Sequence, residues 1–220
     1  MSRYLCASIA LLAMLTSCHG NNSNSNTVSS KAQSTKPKIA IAPAIDNSNG
    51  ALPWNLSDEI AYSLHSLLGK KQQFLLDDPQ HIKSVARRLQ NSNDPFSGEL
   101  DWVKRSFSKD DFVVFVEVLK HEESANLTDP SCKPQECSAH LDVVCRVVVV
   151  DIRNNTPKVI LQELMQDTHF IPKQFNQYNF HQVSWGSEGF AISPMGMAHS
   201  DLFKEISSRV EEYINLAKSS

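Results

Sequence analysis

The sequence predicts one α/β domain with a mixed sheet of about five strands, in the order β-α-β-α-β-β-β-α, ending in a C-terminal helix. Two observations predict this class. In the first half of the chain, short apolar runs alternate with amphipathic helical patterns. In the second half, three long β-branched runs follow one another and are separated by turn-forming residues.

The first half begins with an apolar run at 39–45, which a polar Asp-Asn-Ser-Asn-Gly segment ends. This pattern predicts a strand followed by a loop. Asn55 or Ser57 can cap the next helix, because their short polar side chains accept hydrogen bonds from the first turn. A second short strand at 73–77 leads to Asp78, and the proline after it is typical of a first helical position.

The second half predicts three strands joined by antiparallel hairpins. Residues 112–119 are nearly all apolar, as expected for a central strand covered on both faces. Residues 141–150 alternate so that one face is wholly apolar and the other mixed. A turn precedes the third strand at 158–170, and an apolar stripe at helical spacing predicts the final helix over 200–217.

The amino terminus has the pattern of a secretory signal peptide. Arg3 precedes an apolar run from Leu5 to Met14, and small residues follow before Cys18. The run is shorter than the roughly 20 residues that a membrane-spanning helix needs. A plain signal peptide, or a buried N-terminal helix, is the alternative interpretation.

A cysteine at the end of such a segment resembles the lipobox of bacterial lipoproteins. The resemblance implies that the Cys18 thiol takes a diacylglyceryl group, that residues 1–17 are cleaved, and that the new amino terminus is acylated. Residues 18–36 are then a lipidated cysteine and a polar tether, since their composition cannot bury a core. The tether has a typical reach of about 23 Å. The predicted binding domain covers 37–220.

The positions of the cysteines are consistent with export to an oxidising compartment. Cys132 and Cys137 lie in a polar loop, where they could form a disulfide, remain free thiols or, with other ligands, bind a metal. Their spacing, with His121 and His140 nearby, matches no established zinc pattern, so no metal is expected. Cys145 lies in a valine-rich strand and is interpreted as a buried apolar residue.

No pattern of catalytic or cofactor-binding residues is present. The formal net charge is -3 and no Lys/Arg run occurs, so a nucleic-acid partner is not expected. Gly186-Ser187-Glu188-Gly189 lacks the spacing of a nucleophile elbow. The histidines are scattered singly and are interpreted as surface or hydrogen-bonded residues. We therefore expect a protein without enzymatic activity or a cofactor.

Residues 171–198 are rich in aromatic and methionine side chains but have little periodicity. Connections of this length tend to be functional or flexible, and such side chains are enriched at interfaces. The candidate partner-binding residues are Phe175, Tyr178, Phe180, Trp185, Phe190 and Met195. The alternative is a loop that buries these rings against its own sheet.

The order of elements carries a further resemblance. The strand at 38–44, the helix beginning at 56, the short strand ending in Asp77 and the strand from Asp111 resemble the domain shared by curli-assembly lipoproteins, lipoprotein activators of penicillin-binding proteins and the amino-terminal domain of the TolB family. The tether and length also resemble small chlamydial lipoproteins. These families imply action through protein contacts, without catalytic residues. The short connections between strands do not favour a secretion pore.

These observations predict a membrane-anchored envelope lipoprotein that works as a non-enzymatic protein-binding, assembly or regulatory module. The membrane contact is the lipid on Cys18, and the expected partner is another envelope protein, with the oligomeric state left open. His19 differs from the aspartate associated with inner-membrane retention, so we expect the outer membrane, facing the periplasm. The alternative function is a periplasmic small-molecule or glycan carrier with 171–198 as pocket wall.

Overall fold

The computed structural model describes residues 36–48, 50, 52–89, 93–126, 133, 137–175 and 183–219. This part of the chain forms an α/β domain with a mixed sheet. Its elements in chain order are β1 (Lys38–Ile41), β2 (Ile45–Asp46), α1 (Leu56–Lys70), β3 (Leu75–Leu76), α2 (Pro79–Arg88), α3 (Asp101–Ser106), β4 (Phe112–Ala125), β5 (Ala139–Asp151), β6 (Lys158–Ile171), α4 (Glu188–Ala191) and α5 (Pro194–Ser219).

The sheet confirms the predicted fold class. Its order is β3-β1-β4-β5-β6, and the two-residue β2 pairs with β4 beyond the end of β1. Strand β1 is parallel to both β3 and β4, whereas β4, β5 and β6 form the predicted antiparallel hairpins. The sheet has one strand more than the five predicted, because the single strand predicted at 39–45 is interrupted after Ile41 and resumes as β2 at Ile45.

Two apolar layers cover the sheet, one on each face. Helices α1 and α5 pack on the first face, and α2 and α3 pack on the second. The buried side chains of α1 and α5 on the first face include Ile60, Leu64, Leu68, Leu202, Ile206, Val210 and Ile214. Each such side chain contributes about 1.5–3 kcal/mol through burial, so this layer is the main source of stability.

The helix starts follow the predicted capping residues. The Asn55 side chain accepts a hydrogen bond from the Asp58 N–H, and the Asp78 side chain accepts from the first turn of α2. Helix α5 begins at Pro194 rather than at the predicted residue 200. The Ser193 hydroxyl accepts from the Gly196 N–H at 3.0 Å, which supplies a cap upstream of the predicted start.

Strand β4 continues past the predicted end at Leu119 and contains a bulge between Val118 and Lys120. Without the bulge, residues an odd number apart would point to opposite faces. The bulge instead places His121 opposite Val143, on the same face as Val118. His121 is therefore buried beneath α1 and α5, although a period of two predicts the other face.

None of the helices in the described residues is long and apolar enough to cross a membrane.

Candidate functional site

A cleft opens between α1, α5 and the segment 183–191, which lies at the end of the region singled out by its aromatic content. Its volume is about 340 Å³. We call it the aromatic cleft, after the rings that line it: Tyr62, Trp185, Phe190 and Phe203. Serine hydroxyls from α1 and α5 also reach its surface. The cleft combines apolar walls with a few polar groups, as is typical of ligand sites.

The floor of the aromatic cleft is a buried, hydrogen-bonded pair of polar side chains. Glu59 of α1 and His199 of α5 are 1% and 2% exposed, and His199 Nδ1 lies 2.8 Å from Glu59 Oε1. The other carboxylate oxygen, Oε2, accepts a hydrogen bond of 2.7 Å from the Trp54 indole N–H. Both oxygens of this buried carboxylate are therefore paired, which offsets the cost of removing it from water.

His121 extends the pair into the sheet. Its Nε2 lies 2.8 Å from Nε2 of His199, with the two rings edge to face. An imidazolium ring carries a proton on each nitrogen, so two imidazolium rings would place two protons face to face, and these would repel. The two rings therefore cannot both be imidazolium. Burial and, second, the charge of His199 lower the pKa of His121 to about 4. His121 is accordingly neutral at physiological pH.

This arrangement fixes the positions of three elements of the fold. Both ring nitrogens of His199 are engaged, one by Glu59 and the other by His121. Glu59, His199 and His121 together tie α1, α5 and β4 to one another beneath the cleft and fix the spacing of its walls.

The wall of the cleft is formed by the turn and short helix after residue 183. The Trp185 ring meets Tyr62 edge to face at 5.8 Å between centroids, and Phe190 meets Trp54 in the same way at 5.0 Å. Gly186 has a φ of 91°, a backbone conformation that glycine adopts without strain. These contacts hold the Trp185 ring at the mouth of the cleft.

Gly196 allows α4 and α5 to meet closely. A Cβ atom at this position would lie 1.9 Å from the carbonyl oxygen of Phe190, far inside van der Waals contact. Glycine is thus required for the helix junction that carries Phe190 into the cleft.

The residues predicted from the sequence fall in three places. Trp185 is half-buried and Phe190 is buried, and both line the aromatic cleft. Phe190 and Met195 are buried in the core, and Phe175 is half-buried against it, as expected for a segment that packs on its own sheet. The positions outside the described residues are Cys18, Cys132, Tyr178 and Phe180. Cys137 is buried, and its disulfide with Cys132 stays a prediction.

Sequence reasoning did not find the floor of the cleft. The signal that the sequence offered was one polar residue next to the apolar stripe of each of the two helices. Glu59 directly precedes the buried Ile60, and His199 lies three residues before Leu202. The two residues are 140 positions apart, and His121 is brought to them only by the bulge in β4.

Among the residues that the structure describes, no group of three or more His, Cys, Asp or Glu side chains could hold a metal ion.

Comparison with known proteins places the chain in a family. Residues 25–218 match a family of unknown function, DUF7499, and the chain belongs to it. No protein of curated function matches the sequence significantly.

Several solved structures are similar in fold. The hypothetical protein CT253 from Chlamydia trachomatis superposes with a TM-score of 0.63 and 25% identity, covering 81% of this chain and 98% of that one. Lipoprotein GNA1162 from Neisseria meningitidis has a TM-score of 0.41 and 12% identity, covering 78% and 99%. The LpoB C-terminal domain from Salmonella enterica has a TM-score of 0.35 and 12% identity, covering 60% and 82%.

Structural neighbours thus include bacterial lipoproteins and a chlamydial protein, the groups that the sequence resembled. The superposition on the chlamydial protein supports the fold over 81% of this chain. The two lipoproteins superpose too loosely to carry an argument about this chain.

Proposed function

We propose that this protein is a lipid-anchored lipoprotein of the bacterial envelope whose domain binds another envelope protein at the aromatic cleft and performs no chemistry. The observation that carries the proposal is the pair of rings at the mouth of the cleft. Tyr62 is 67% exposed, Trp185 is half-buried, and the two are in edge-to-face contact. Tyrosine and tryptophan are enriched among residues that dominate binding energy.

The surroundings of the cleft support the same function. Two large apolar side chains, Ile192 and Met197, are exposed next in the chain to the lining residues Ala191 and Gly196. A partner that covers this region would remove their apolar surface from water, which is favourable by about 25 cal/mol per Å². The hydrogen-bonded floor keeps the walls in place, so little ordering is needed on binding.

The proposed lipid anchor on Cys18 determines where in the envelope the domain lies. Cys18 lies outside the described residues, and its lipidation rests on the lipobox-like segment before it. A single acyl chain gives marginal membrane binding, whereas several chains hold a protein stably. A polar tether of about 23 Å reach keeps the domain close to its own membrane. The partner is then a protein at that membrane, and we place it at the outer membrane, on the periplasmic side.

A carrier of small molecules or glycans is the second candidate function. It is favoured by the concavity of the cleft, whose volume of about 340 Å³ lies within the range of ligand pockets. The segment 183–191 forms a wall of that concavity, and serine hydroxyls could orient a polar ligand.

In-cell crosslinking tests the binding function. A photo-crosslinking residue replaces Tyr62, which is exposed and whose loss leaves the core intact. The same residue at Leu164, which is 60% exposed on β6, is the matched control. We expect an envelope protein to be captured from position 62 and not from 164. Equal capture from both positions, or none from 62 while a small molecule co-purifies with the protein, would overturn the proposal in favour of the carrier.

Fatty-acid labelling tests the anchor separately. A Cys18→Ala variant should lose labelling and membrane retention, since no other residue is proposed to carry the lipid. A Cys6→Ala variant changes a cysteine in the predicted leader and should keep both. Unchanged labelling of the Cys18→Ala variant would contradict the anchor.

A further inference from the structure

The carboxyl-terminal part of strand β4 has one open edge. On the side away from β5, β1 pairs with β4 as far as Val114, and β2 pairs with it as far as Val118. Gly50 then runs close to this edge, because a Cβ atom there would lie 3.0 Å from the His121 carbonyl oxygen. From 122 to 125, no strand in the described part of the chain pairs with β4 on this side. We call residues 122–125 the open edge of β4.

The backbone groups of Glu123 and Ala125 point out of this edge. Residues opposite each other in antiparallel strands alternate between pairs that exchange two hydrogen bonds and pairs that exchange none. Asn126 donates to the Ser138 carbonyl oxygen at 2.7 Å. The next pair, Ala125 with Ala139, therefore exchanges none, and neither does the pair that contains Glu123. Each of these two residues of β4 thus presents an N–H and a C=O group to a further strand.

A small apolar groove lies beside the open edge, on the face of the sheet that α5 covers. Glu123 is at its rim, and Phe190 lines both this groove and the aromatic cleft, so the two regions adjoin. The other apolar residues of the groove include Ile171, Phe175, Val183 and Met195. Its volume of about 10 Å³ admits about one water-sized group. A separate small molecule does not fit, so a ligand here must be held mainly by the strand edge.

Glu123 is a carboxylate without a counter-charge. It is exposed, yet the apolar groove beside it raises the pKa of its carboxyl group by burial, and no cation or hydrogen-bond donor among the described residues lowers that pKa again. Lys120, close by, is shared between Glu122 at 3.4 Å and Asp142 at 2.7 Å. One lysine thus accompanies three carboxylates, and this charge pattern favours a positively charged partner.

We propose that the open edge of β4 binds an extended, basic segment of another protein as an added strand, with a lysine or arginine side chain of that segment paired to Glu123. Backbone hydrogen bonds to Glu123 and Ala125 hold the strand, and Glu123 selects the positive charge. The apolar stem of the basic side chain lies along the groove while its charged end stays at the rim. The site adjoins the aromatic cleft but does not depend on the function proposed for that cleft.

Two pentapeptides without aromatic residues test the proposal: acetyl-Thr-Val-Lys-Val-Thr-amide, and the same peptide with glutamine in place of lysine. Each is added to ¹⁵N-labelled protein covering residues 18–220, expressed without the leader. The lysine peptide should move the backbone amide resonances of Glu123 and Ala125 saturably to lower field, with a Kd on the order of 1 mM. The glutamine peptide should bind at least about threefold more weakly at low ionic strength. The indole resonance of Trp185 should stay unchanged, because that ring lies in the aromatic cleft.

Charge variants locate the basic side chain. Glu123→Gln should bind the lysine peptide as weakly as the glutamine peptide, because the only group that distinguishes them is gone. Glu122→Gln is the matched control. Its side chain lies on the other face of the sheet beside Lys120, so this variant should keep the preference for lysine.

Alternate N-methylation of the lysine peptide tests strand addition itself. Methyl groups on the two valine nitrogens block one edge of the peptide, and methyl groups on the lysine and threonine nitrogens block the other. An added strand uses one edge, so only one of the two methylated peptides should bind. Equal binding by both, equal affinity of the lysine and glutamine peptides for the wild-type protein, or no saturable shift at Glu123 and Ala125 would overturn the proposal.

Discussion

Glu59 of α1 and His199 of α5 meet in the core, with 2.8 Å between Oε1 and Nδ1, although they are 140 residues apart in the chain. Both are almost fully buried beneath the aromatic cleft. Their contact joins the two helices that form the cleft and extends through His121 to the sheet. A buried pair of this kind contributes to a specific geometry, and breaking one partner is costly because the other is left uncompensated.

Replacing Glu59 by glutamine should destabilise the protein, although the side chain keeps its shape. Both carboxylate oxygens accept hydrogen bonds, from His199 and from Trp54. A glutamine amide would turn its NH₂ group toward one of these donors. We expect the free energy of unfolding in urea to fall by about 1–3 kcal/mol. Glu212→Gln, which removes only an exposed ion pair on α5, should change it by less than about 1 kcal/mol. Equal effects would contradict the role of Glu59.

Stability should decrease as the pH falls from about 6.5 to about 4. Burial and the charge of His199 lower the pKa of His121 to about 4, against 6.5 for the unfolded chain. Between these values the unfolded state binds a proton that the folded state does not, so protons favour unfolding. The full loss is on the order of 3 kcal/mol. Urea unfolding from pH 4.5 to 7 measures it.

A His121→Gln variant is the control for this pH dependence, because it removes the titrating group while keeping a polar side chain. Its stability should depend less steeply on pH than that of the wild-type protein. An identical slope would show that His121 does not contribute.

Gly196→Ala should disrupt the wall of the aromatic cleft. The new Cβ would lie 1.9 Å from the backbone oxygen of Phe190, so α4 must move away from α5. We expect a loss of at least about 1–3 kcal/mol in the free energy of unfolding. Gly189→Ala is the matched control on α4, since its Cβ would come no closer than 3.8 Å to Val183. If the Gly196→Ala and Gly189→Ala variants had the same free energy of unfolding, the close approach of α4 and α5 at Gly196 would be contradicted.

Cys145 should resist alkylation in the folded protein. It is fully buried in β5, and burial raises the pKa of its thiol to about 12. Only the thiolate reacts, so iodoacetamide at pH 8 should leave Cys145 unmodified until urea is added. Mass spectrometry of a tryptic digest measures the modified fraction. Rapid modification without urea would show that this strand opens readily.

Much of the fold was predictable because local patterns and tertiary packing agree. The alternation in 141–150 marks the face that packs against α5, and Asn55 and Asp78 cap helices as their positions predict. Strand β2 was not predicted as a separate strand because the apolar run at 39–45 continues through the break between Ile41 and Ile45. Helix α5 begins early because Ser193 caps it and Gly196 permits the close junction, neither of which an apolar stripe reveals.

The aromatic cleft was only partly predictable. Trp185 was found because aromatic enrichment is a local property of the sequence. Glu59 and His199 come together only through the packing of α1 against α5, which depends on the sheet order. His121 joins them because a bulge reverses the alternation of β4, and no period in the sequence marks that bulge.

The most direct test of the binding function is the affinity of the partner captured from position 62 for a Trp185→Ala variant, measured by isothermal titration calorimetry. Trp185 lines the cleft and contacts Tyr62, so its loss should weaken binding at least tenfold, which is about 1.4 kcal/mol. Leu164→Ala on the opposite side of the sheet should bind as the wild-type protein does. An unchanged Kd for Trp185→Ala would contradict the assignment of the aromatic cleft as the binding site.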